Sequence, residues 1–332
     1  MSDPVQLAMY GHRFGLFLRS GSSGSEIWVD RVQRAEPTFN YPTTPYYELG
    51  RVGPIGVTQD PADYRLVVEE NMHNSEIDFC LAGKNPSPSG AQSYNLGDLL
   101  GKDNTGYVIG RNDAGTIDKE LELTGLRIAE VQWQFTIRDA IRQMWTLVGR
   151  QGQWYTSGFP HGSWGTVDDV SPGGIHGKEA RIWFTSGSSA TTREFRLQSF
   201  TIRSAFPNVQ VRELGRRALV GTVSDSPETT VDFDILTADD QPLGKLFQSS
   251  GSGWDLGNPS AVFHAYIRVF DPDVAEATSV VKMFRLENVR VTTGTPTRAQ
   301  VRNLATSRYS LRITKESTVD SGGVVISNRN DL

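Results

Sequence analysis

The chain of 332 residues repeats short segments of its own sequence at about half its length. Ser20–Ser23 returns as Ser186–Ser189, 166 positions later, and Glu48–Arg51 returns as Glu213–Arg216, 165 positions later. One match of this size arises easily by chance, but several in the same order at one spacing indicate an internal duplication. We therefore predict that the chain consists of two copies of one domain.

The closing segments of the two copies also match, because Leu123–Ile128 resembles Leu286–Val291 at an offset of 163. Between the copies the sequence is rich in glycine and aromatic residues and shows no sustained hydrophobic period, which is typical of a connection. We place the first domain at 1–150, the connection at 151–180 and the second domain at 181–332.

Alternation of apolar and polar residues predicts a mainly β fold in which each domain is an antiparallel sandwich or barrel with a short flanking helix. The clearest alternating segments are Val131–Ile137, Val231–Ile235 and Tyr309–Ile313. We align Trp133, Phe135 and Ile137 of the first with Tyr309, Leu311 and Ile313 of the third, at an offset of 176. The extra residues then fall in the Thr-, Gly- and Pro-rich stretch 292–306, where an insertion is tolerated as a loop.

Each copy is predicted to open with a β-hairpin whose tip is the repeated Ser-Gly-Ser-Ser segment, since glycine accepts the backbone angles of a tight turn. The first hairpin joins 12–19 to 26–33, and the second joins 181–185 to 194–202. Apolar residues spaced at i, i+4, i+7 and i+8 predict a helix over 137–148.

Two shorter helices are predicted at equivalent places in the copies, one at 95–100 and one at 242–247. The second has proline in its first turn, where the missing backbone N–H costs nothing.

Composition excludes several classes of function. The 33 basic and 38 acidic residues give a formal net charge of −5, and no basic run exceeds two residues, so no surface for gripping nucleic acid is indicated. A single cysteine, Cys80, excludes an intrachain disulfide. The N-terminal residues do not resemble a signal peptide and no apolar run is long enough to span a membrane, so we expect a soluble cytosolic product.

A search for catalytic motifs finds none. Each Gly-Lys pair lacks the following Ser or Thr of a phosphate-binding loop, and no Gly-x-Ser-x-Gly elbow is present. A metal site formed by His161 and His176 with Asp168 and Asp169 is less favoured than a polar surface loop. Cys80 lies in an apolar stretch and is interpreted as a buried thiol. We predict no catalytic residue, no cofactor and no metal.

The run Glu36–Tyr47 contains three prolines and four aromatic residues. Its prolines predict that it does not join a ladder as a regular strand. It is either an ordinary loop or an interaction arm, and its aromatic content favours the arm. The candidate contact residues are Phe39, Tyr41, Tyr46 and Tyr47.

These features together resemble bacteriophage tail tube proteins of the duplicated kind, in which one polypeptide carries two tube domains. The resemblance covers nearly the whole chain. It lies in the opening hairpins Phe14–Gln33 and Ile182–Gln198, the loops leading to Glu-Leu-Gly-Arg, and the alternating strands after Asp60 and Asp225. It implies a structural virion protein that polymerises as stacked rings, each of three chains with pseudo-six-fold symmetry, around a channel for DNA. We expect the arm to dock on the next ring during stacking through Phe39, Tyr41, Tyr46 and Tyr47.

The resemblance also implies partners and location. The chain would bind copies of itself and would contact the tape measure, the tail terminator, the baseplate or tip proteins, and a sheath if the tail contracts. DNA would pass along the lumen without specific binding, and the protein would be assembled in the host cytoplasm and reside in the virion tail. Two alternatives remain: a tail-tip or baseplate β-domain protein that binds a receptor or carbohydrate, and a glycoside-cleaving enzyme with a carboxylate pair.

Overall fold

A computed structural model of the chain defines its architecture. The residues that it describes are 14–21, 24, 26–41, 43–46, 52, 54, 56–59, 62–86, 90–165, 175–185, 197–211, 221–236, 247–250, 253–259, 263–271, 280–298, 306–313 and 324–328.

The first half of the chain contains eleven described strands and a short α-helix, α1, at Glu76–Leu81. The strands are β1 Phe14–Ser20, β2 Glu26–Trp28, β3 Val32–Asn40, β4 Thr43–Tyr46, β5 Gly56–Gln59, β6 Asp63–Asn71, β7 Ser93–Asn95, β8 Asn104–Arg111, β9 Ile117–Thr136, β10 Arg142–Gly149 and β11 Gln151–Tyr155. Single 3-10 turns lie at Leu96–Leu99 and, just before the second half, at Gly177–Glu179.

The second half contributes the remaining described strands. They are β12 Ala180–Thr185, β13 Leu197–Ala205, β14 Asn208–Val211, β15 Gly221–Ser224, β16 Glu228–Leu236, β17 Phe247–Ser250, β18 Gly253–Pro259, β19 Phe263–Phe270, β20 Val280–Arg298, β21 Thr306–Ile313 and β22 Val324–Ser327.

The prediction of a mainly β fold is confirmed, and all strand pairs in the described residues are antiparallel. Sixteen strands form one large sheet whose main path runs β12-β19-β20-β21-β16-β13-β9-β10-β6-β3. The hairpins β4–β5, β14–β15 and β17–β18 stand outside it as two-stranded sheets. Alternating burial along strands such as β6 shows why the sequence alternates, since one face of the sheet packs on the core.

The two halves have the same strand order. In the first half the ladder runs β1-β8-β9-β10-β6-β3, and in the second it runs β12-β19-β20-β21-β16-β13. A short strand is added to the long central strand in each half, β11 on β9 and β22 on β20. Each ladder is also interrupted by one hairpin at the same place, β4–β5 in the first and β14–β15 in the second. The repetition therefore extends to every major pairing.

The register of the strands repeats as well. In the β3–β6 ladder Pro37 lies opposite Leu66. In the β13–β16 ladder Ile202 lies opposite Val231, so both partners are 165 positions further along the chain. This is the offset of the sequence repeat, and it shows that the pairing follows the repeat residue by residue.

Even the irregularities recur. β9 bulges at Ala129, which is skipped in its ladder with β10, and β20 bulges at Thr292, which is skipped in its ladder with β21. The two positions differ by 163, the offset between the closing segments. A bulge bends and twists a strand, so the long central strand bends at the same point in both halves.

The sheet continues from one half into the other. The distal part of β9 pairs with β10 on one side and with β13 on the other, so the edge strand of the second half completes the sheet of the first. A second junction is made by β22, which lies between β20 and β7.

Strands β6, β8 and β1 meet in the core of the first half. Gly106 of β8 leaves room there for two leucine side chains, because a Cβ at this position would lie 3.2 Å from Leu66 of β6 and 3.5 Å from Leu18 of β1. Buried apolar residues of both halves form one continuous cluster, including Trp133 and Phe284 with ring centroids 5.2 Å apart. The large core is therefore shared between the halves.

The predicted helix over 137–148 is wrong, because these residues form a turn followed by β10. β10 is a central strand paired with both β6 and β9. Gln143, Trp145 and Leu147 are buried at a period of two, and Thr146 on the opposite face is buried as well. Met144 and Val148, on the same face as Thr146, are partly buried. When both faces of a strand carry apolar residues, their spacing also fits a helix, and periodicity alone does not decide.

This correction changes the alignment of the halves. Trp145 in β10 and Tyr309 in β21 are the equivalent positions, at an offset of 164, because Trp145 lies opposite Val68 and Tyr309 lies opposite Phe233. The predicted alignment of Trp133–Ile137 with Tyr309–Ile313 is wrong.

The first predicted hairpin is confirmed as β1 and β2, with Gly21 at a φ of 63° at its tip. The second is wrong as stated: β12 pairs with β19, and β13 is flanked by β16 and β9, so β13 has no edge left for β12. A helical turn near 95–100 is confirmed at Leu96–Leu99. Residues 242–246 lie outside the described residues, and Phe247 begins β17. The sequence did not predict α1.

Candidate assembly surface

The proline-rich run Glu36–Tyr47 is split between two elements. Its first residues belong to β3, where Pro37 lies opposite Leu66, and its last described residues form β4, where Pro45 lies opposite Val57. The prediction that the prolines keep this run out of a ladder is therefore wrong. Both strands are edge strands or lie in an isolated hairpin, and proline is tolerated at such positions because one side of the strand needs no backbone donor.

Two aromatic side chains of this run are exposed at the surface. Phe39 is 45% exposed and contacts Tyr64 edge-on with ring centroids 5.6 Å apart, and Tyr41, just after β3, is 55% exposed. Tyr46 lies in β4, and Tyr47 lies outside the described residues. The structure therefore places two of the four predicted contact residues together on one exposed edge.

β3 is the last strand of the main sheet path at that end. It pairs with β6, and within the described ranges no strand covers its other side. A second open stretch lies along β20: its pairing with β19 ends at Val289, and from there to Arg298 the described strands pair with it only through β21. Unpaired strand edges present a row of backbone donors and acceptors to a further strand.

The junction between β13 and β9 shows how such an edge is filled inside the chain. β13 pairs with β9 over Ser199–Ala205. Just beyond it the backbone N–H of Phe206 donates to the carbonyl of Ala129, the bulged residue of β9, at 2.8 Å. The Phe206 side chain is only 3% exposed. An aromatic side chain thus closes the end of the junction.

Further contacts hold this junction. Phe200 and Phe135 stack with centroids 3.8 Å apart, and both rings are buried. Arg203 donates two hydrogen bonds to the Glu130 carboxylate, each 2.9 Å long, in a bidentate pair at the surface. Two-point arginine–carboxylate pairs fix geometry as well as charge. The junction combines an aromatic core with a polar rim.

The isolated hairpin of the second half is apolar at its surface. Val209 is 64% exposed, its cross-strand partner Val223 is 60% exposed, and Val211 is 40% exposed. Three exposed valines on one two-stranded hairpin form a patch suited to contact with another protein. The equivalent hairpin of the first half, β4–β5, has no matching valine row in β4.

A buried polar network joins the halves behind these surfaces. The Lys282 ammonium of β20 is fully buried, contacts the carboxylate of Asp78 in α1, and donates to the Gln143 amide oxygen at 3.0 Å. The other oxygen of the Asp78 carboxylate, Oδ1, accepts hydrogen bonds from the Gln143 amide at 2.8 Å and from the Tyr94 hydroxyl at 3.1 Å. Burial lowers the pKa of Lys282, an effect that Asp78 opposes. A buried charge held this way requires all its partners.

Glu70 of β6 lies close to this network and is 2% exposed. Its pKa is raised from 4.5 to about 8, chiefly by burial and also by the nearby Asp78, while Lys282 acts in the opposite direction. No sequence pattern indicated in advance that Glu70, Asp78 and Lys282 meet. The available signal was a charged residue inside an apolar stretch: Lys282 between valine and methionine, and Asp78 between isoleucine and phenylalanine.

Two more of the candidate residues, His161 and Cys80, lie among packed side chains. The His161 ring lies 3.7 Å from the Phe17 ring and 2.5 Å from a Glu26 carboxylate oxygen, within an aromatic cluster on β1 and β8. Asp168 and Asp169 lie outside the described residues. Cys80 is buried, as predicted, and burial raises its pKa to about 12.

No group of three or more His, Cys, Asp or Glu residues suited to a metal ion occurs among the described residues. None of the helices seen there has the length and apolar character needed to cross a bilayer.

Comparisons with known proteins add one finding. No family model matches the chain, and no curated protein matches it. Among solved structures it is similar to a chain of the anti-feeding prophage (AFP) baseplate, determined by cryo-EM with 6-fold symmetry imposed. The identity is 12%, the match covers 47% of this chain and 97% of that one, and the TM-score is 0.32.

Proposed function

We propose that this chain is a structural subunit of a phage tail tube, carrying two copies of one tube domain and assembling into stacked rings around a channel. The observation that carries the proposal is the repeated ladder whose sheet runs from one half into the other while one equivalent edge stays open. Ring closure removes such edges, and a duplicated chain reaches six domains with three subunits. A catalytic role forms no part of this proposal.

The charge of the chain fits this role. A channel that conducts DNA functions best when it does not hold it, and a formal net charge of −5 provides no general attraction for a polyanion. The partners would be further copies of the chain, with the tape measure, terminator and baseplate or tip proteins at the ends of the tube. Its location would be the virion tail, after assembly in the host cytoplasm.

The hairpins outside the main sheet are the proposed contacts between rings. We assign this role to β4–β5 with Tyr46 and Tyr47, and to the valine patch of β14–β15. Phe39 and Tyr41 are set apart from it, because they lie in or next to the β3 edge. Replacing 47–55 with a short Gly/Ser linker is expected to leave rings intact and to block their stacking.

The test of the function is the state of the purified protein at high concentration. Negative-stain images should show rings or tubes of uniform diameter, and mass measurement of isolated rings should give three chains. A monomer under all conditions, or six chains per ring, would contradict the proposal. A closed trimer that never stacks and binds a glycan would favour a tail-tip or baseplate module instead.

A further inference from the structure

We propose that the open edge of β3 in one chain pairs with the distal part of β20 in a second copy of this chain, in the register that joins β13 to β9. The inference rests on the proposed self-assembly and deepens it, because it names the strands and the residue pairs of the contact.

The two open edges are the counterparts of the two strands already joined inside the chain. β3 corresponds to β13, because each is the outer strand beside its own hairpin and pairs with the equivalent strand, β6 or β16. β20 corresponds to β9, since each is the long bulged strand at the centre of its half. The chain therefore carries one filled and one unfilled copy of the same junction.

The filled junction dictates the register of the unfilled one. Ser204 lies opposite Val131 in the β13–β9 ladder. The offset of 165 between β3 and β13 places Phe39 at the position of Ser204. The offset of 163 between β9 and β20 places Gly294 at the position of Val131. The proposed ladder thus sets Phe39 opposite Gly294.

The residue types at this pair are complementary. Inside the chain a small residue faces a medium one, and both are fully buried. In the proposed contact a large aromatic ring, 45% exposed in the single chain, faces a residue without a side chain. A glycine in a strand leaves a gap that a cross-strand aromatic ring covers, so Phe39 gains a place to be buried.

An aromatic residue also recurs at the end of the junction. Phe206-Pro207 follows β13, and Tyr41-Pro42 follows β3, 165 positions earlier. Phe206 is 3% exposed, whereas Tyr41 is 55% exposed. The same residue type at the same position is buried where the neighbouring half is present and exposed where it is not. The open edge is therefore shaped for the same kind of partner.

The charges agree with this register. β20 holds one extra residue between Thr295, which pairs with Arg308, and Arg298, which pairs with Thr306. Beyond Thr295 the offset from β9 is therefore 164, and Arg298 takes the position of Gln134. Inside the chain Gln134 lies opposite Thr201, whose counterpart in β3 is Glu36. The proposed ladder thus sets Glu36 opposite Arg298, and opposite charges directly across a ladder stabilise it.

Cysteine cross-linking of the full-length protein under assembly conditions tests the register. Thr38→Cys with Thr295→Cys introduces thiols at paired positions of the proposed contact, and Arg203→Cys with Gln132→Cys introduces them at the equivalent internal pair. Thr38→Cys with Thr293→Cys is the shifted control. Disulfides require Cα atoms within about 7 Å, so a shift by two residues disfavours them.

The expected result after mild oxidation is covalent oligomers up to a closed trimer for the Thr38/Thr295 pair, an intrachain link for the internal pair, and about tenfold fewer oligomers for the shifted pair. Rings that form without a Thr38/Thr295 link would overturn the register while leaving the tube function standing. A protein that forms no rings at all would instead contradict the proposed function.

A charge-reversal pair gives a second readout. Glu36→Arg or Arg298→Glu alone should raise the concentration needed for ring formation by about fivefold, and the two together should restore it. Equal effects of the single and double variants would contradict the pairing.

Discussion

The two halves of this chain use one ladder in two different situations. In the second half the outer strand β13 is covered by β9, and the aromatic residue that follows it is buried. In the first half no described strand covers the outer side of β3, and Tyr41 is exposed. The strand order is the same in both, so the difference comes from what lies next to each half. A duplicated chain thus contains its own example of an assembled contact.

The halves differ most between the strands β6 and β8 and their counterparts β16 and β19. The first half has α1 there, which carries Asp78 to Lys282 of the other half. The second half has the hairpin β17–β18 at the same place. The repeat is therefore retained in the ladder and lost in the insertions, where packing between the halves required different residues.

The difference between the two halves is tested most directly by replacing the aromatic residue that follows β13 and the one that follows β3. Phe206→Ala should lower the free energy of unfolding by about 3–5 kcal/mol, because it empties a buried site. Tyr41→Ala should change it by less than about 0.5 kcal/mol in the single chain, since that side chain is exposed, but should weaken ring formation. Urea unfolding followed by tryptophan fluorescence, with sedimentation for assembly, measures both. Equal destabilisation of the single chain would contradict the distinction.

The link between the halves is tested by Lys282→Met. This change leaves the Asp78 carboxylate buried without its cation and should cost about 3–5 kcal/mol of unfolding free energy. Adding Asp78→Asn should recover much of this loss, because the network then holds no unpaired charge. Urea unfolding of the single and double variants decides it, and a double variant no more stable than the single one would show that the charge pair is not the cause.

The pH dependence of stability sharpens the contrast between the buried network and the surface junction. Glu70 has a folded pKa of about 8, above the 4.5 of the unfolded chain, so the folded state retains its proton between these values. Its stabilising contribution is complete below about pH 4.5 and is lost as the pH rises to about 8, at roughly 1.4 kcal/mol per pH unit. Glu70→Gln should remove this slope.

The measurement for Glu70 is the free energy of unfolding from pH 5 to pH 8. The charged groups close to Glu70 are Asp78, Lys282, Glu76 and Asp30, and both proteins in this comparison retain them. Glu69→Gln, on the same strand beside Arg142, is the matched control. Parallel curves for Glu70→Gln and the unsubstituted chain would contradict the assignment.

The smallest effect is expected at the rim of the internal junction. Arg203→Ala removes the bidentate pair with Glu130, but Arg203 is 57% exposed, so the loss should be about 0.2–1 kcal/mol and should shrink in high salt. Chemical unfolding at two salt concentrations checks this. A loss as large as that of Phe206→Ala would show that the polar rim stabilises the junction as much as the buried aromatic residue does.

Much of the fold could be predicted because strand alternation and the repeat carry it. The offsets of 163 and 165 found in the sequence are those of the strand registers. The helix predicted at 137–148 was wrong because apolar residues stand on both faces of β10, Trp145 on the buried face and Met144 and Val148 on the partly buried one, and their spacing also fits a helix. The prediction of the second hairpin was wrong because local sequence does not show that β13 lies between β9, which precedes it in the chain, and β16, which follows it.

The candidate surface was predicted only in part. Aromatic content pointed to Phe39 and Tyr41, which are exposed, and their role as contact residues stays a prediction. The prediction that the prolines exclude this run from a ladder was wrong, because an edge strand tolerates proline. The role of Lys282 and Asp78 depends on a contact between residues 204 positions apart. Sequence spacing does not reveal which distant charges meet in a core.

The position of β22 has a consequence for the synthesis of this protein. This strand, close to the C-terminus of the sequence and buried along its whole length, pairs with β7 of the first half. The edge of β7 must wait for more than two hundred residues to be translated before its partner leaves the ribosome. Such distant contacts form late and slowly. We expect each nascent chain to complete its shared sheet only after β22 has been translated, which delays the exposure of a finished sheet to its neighbours.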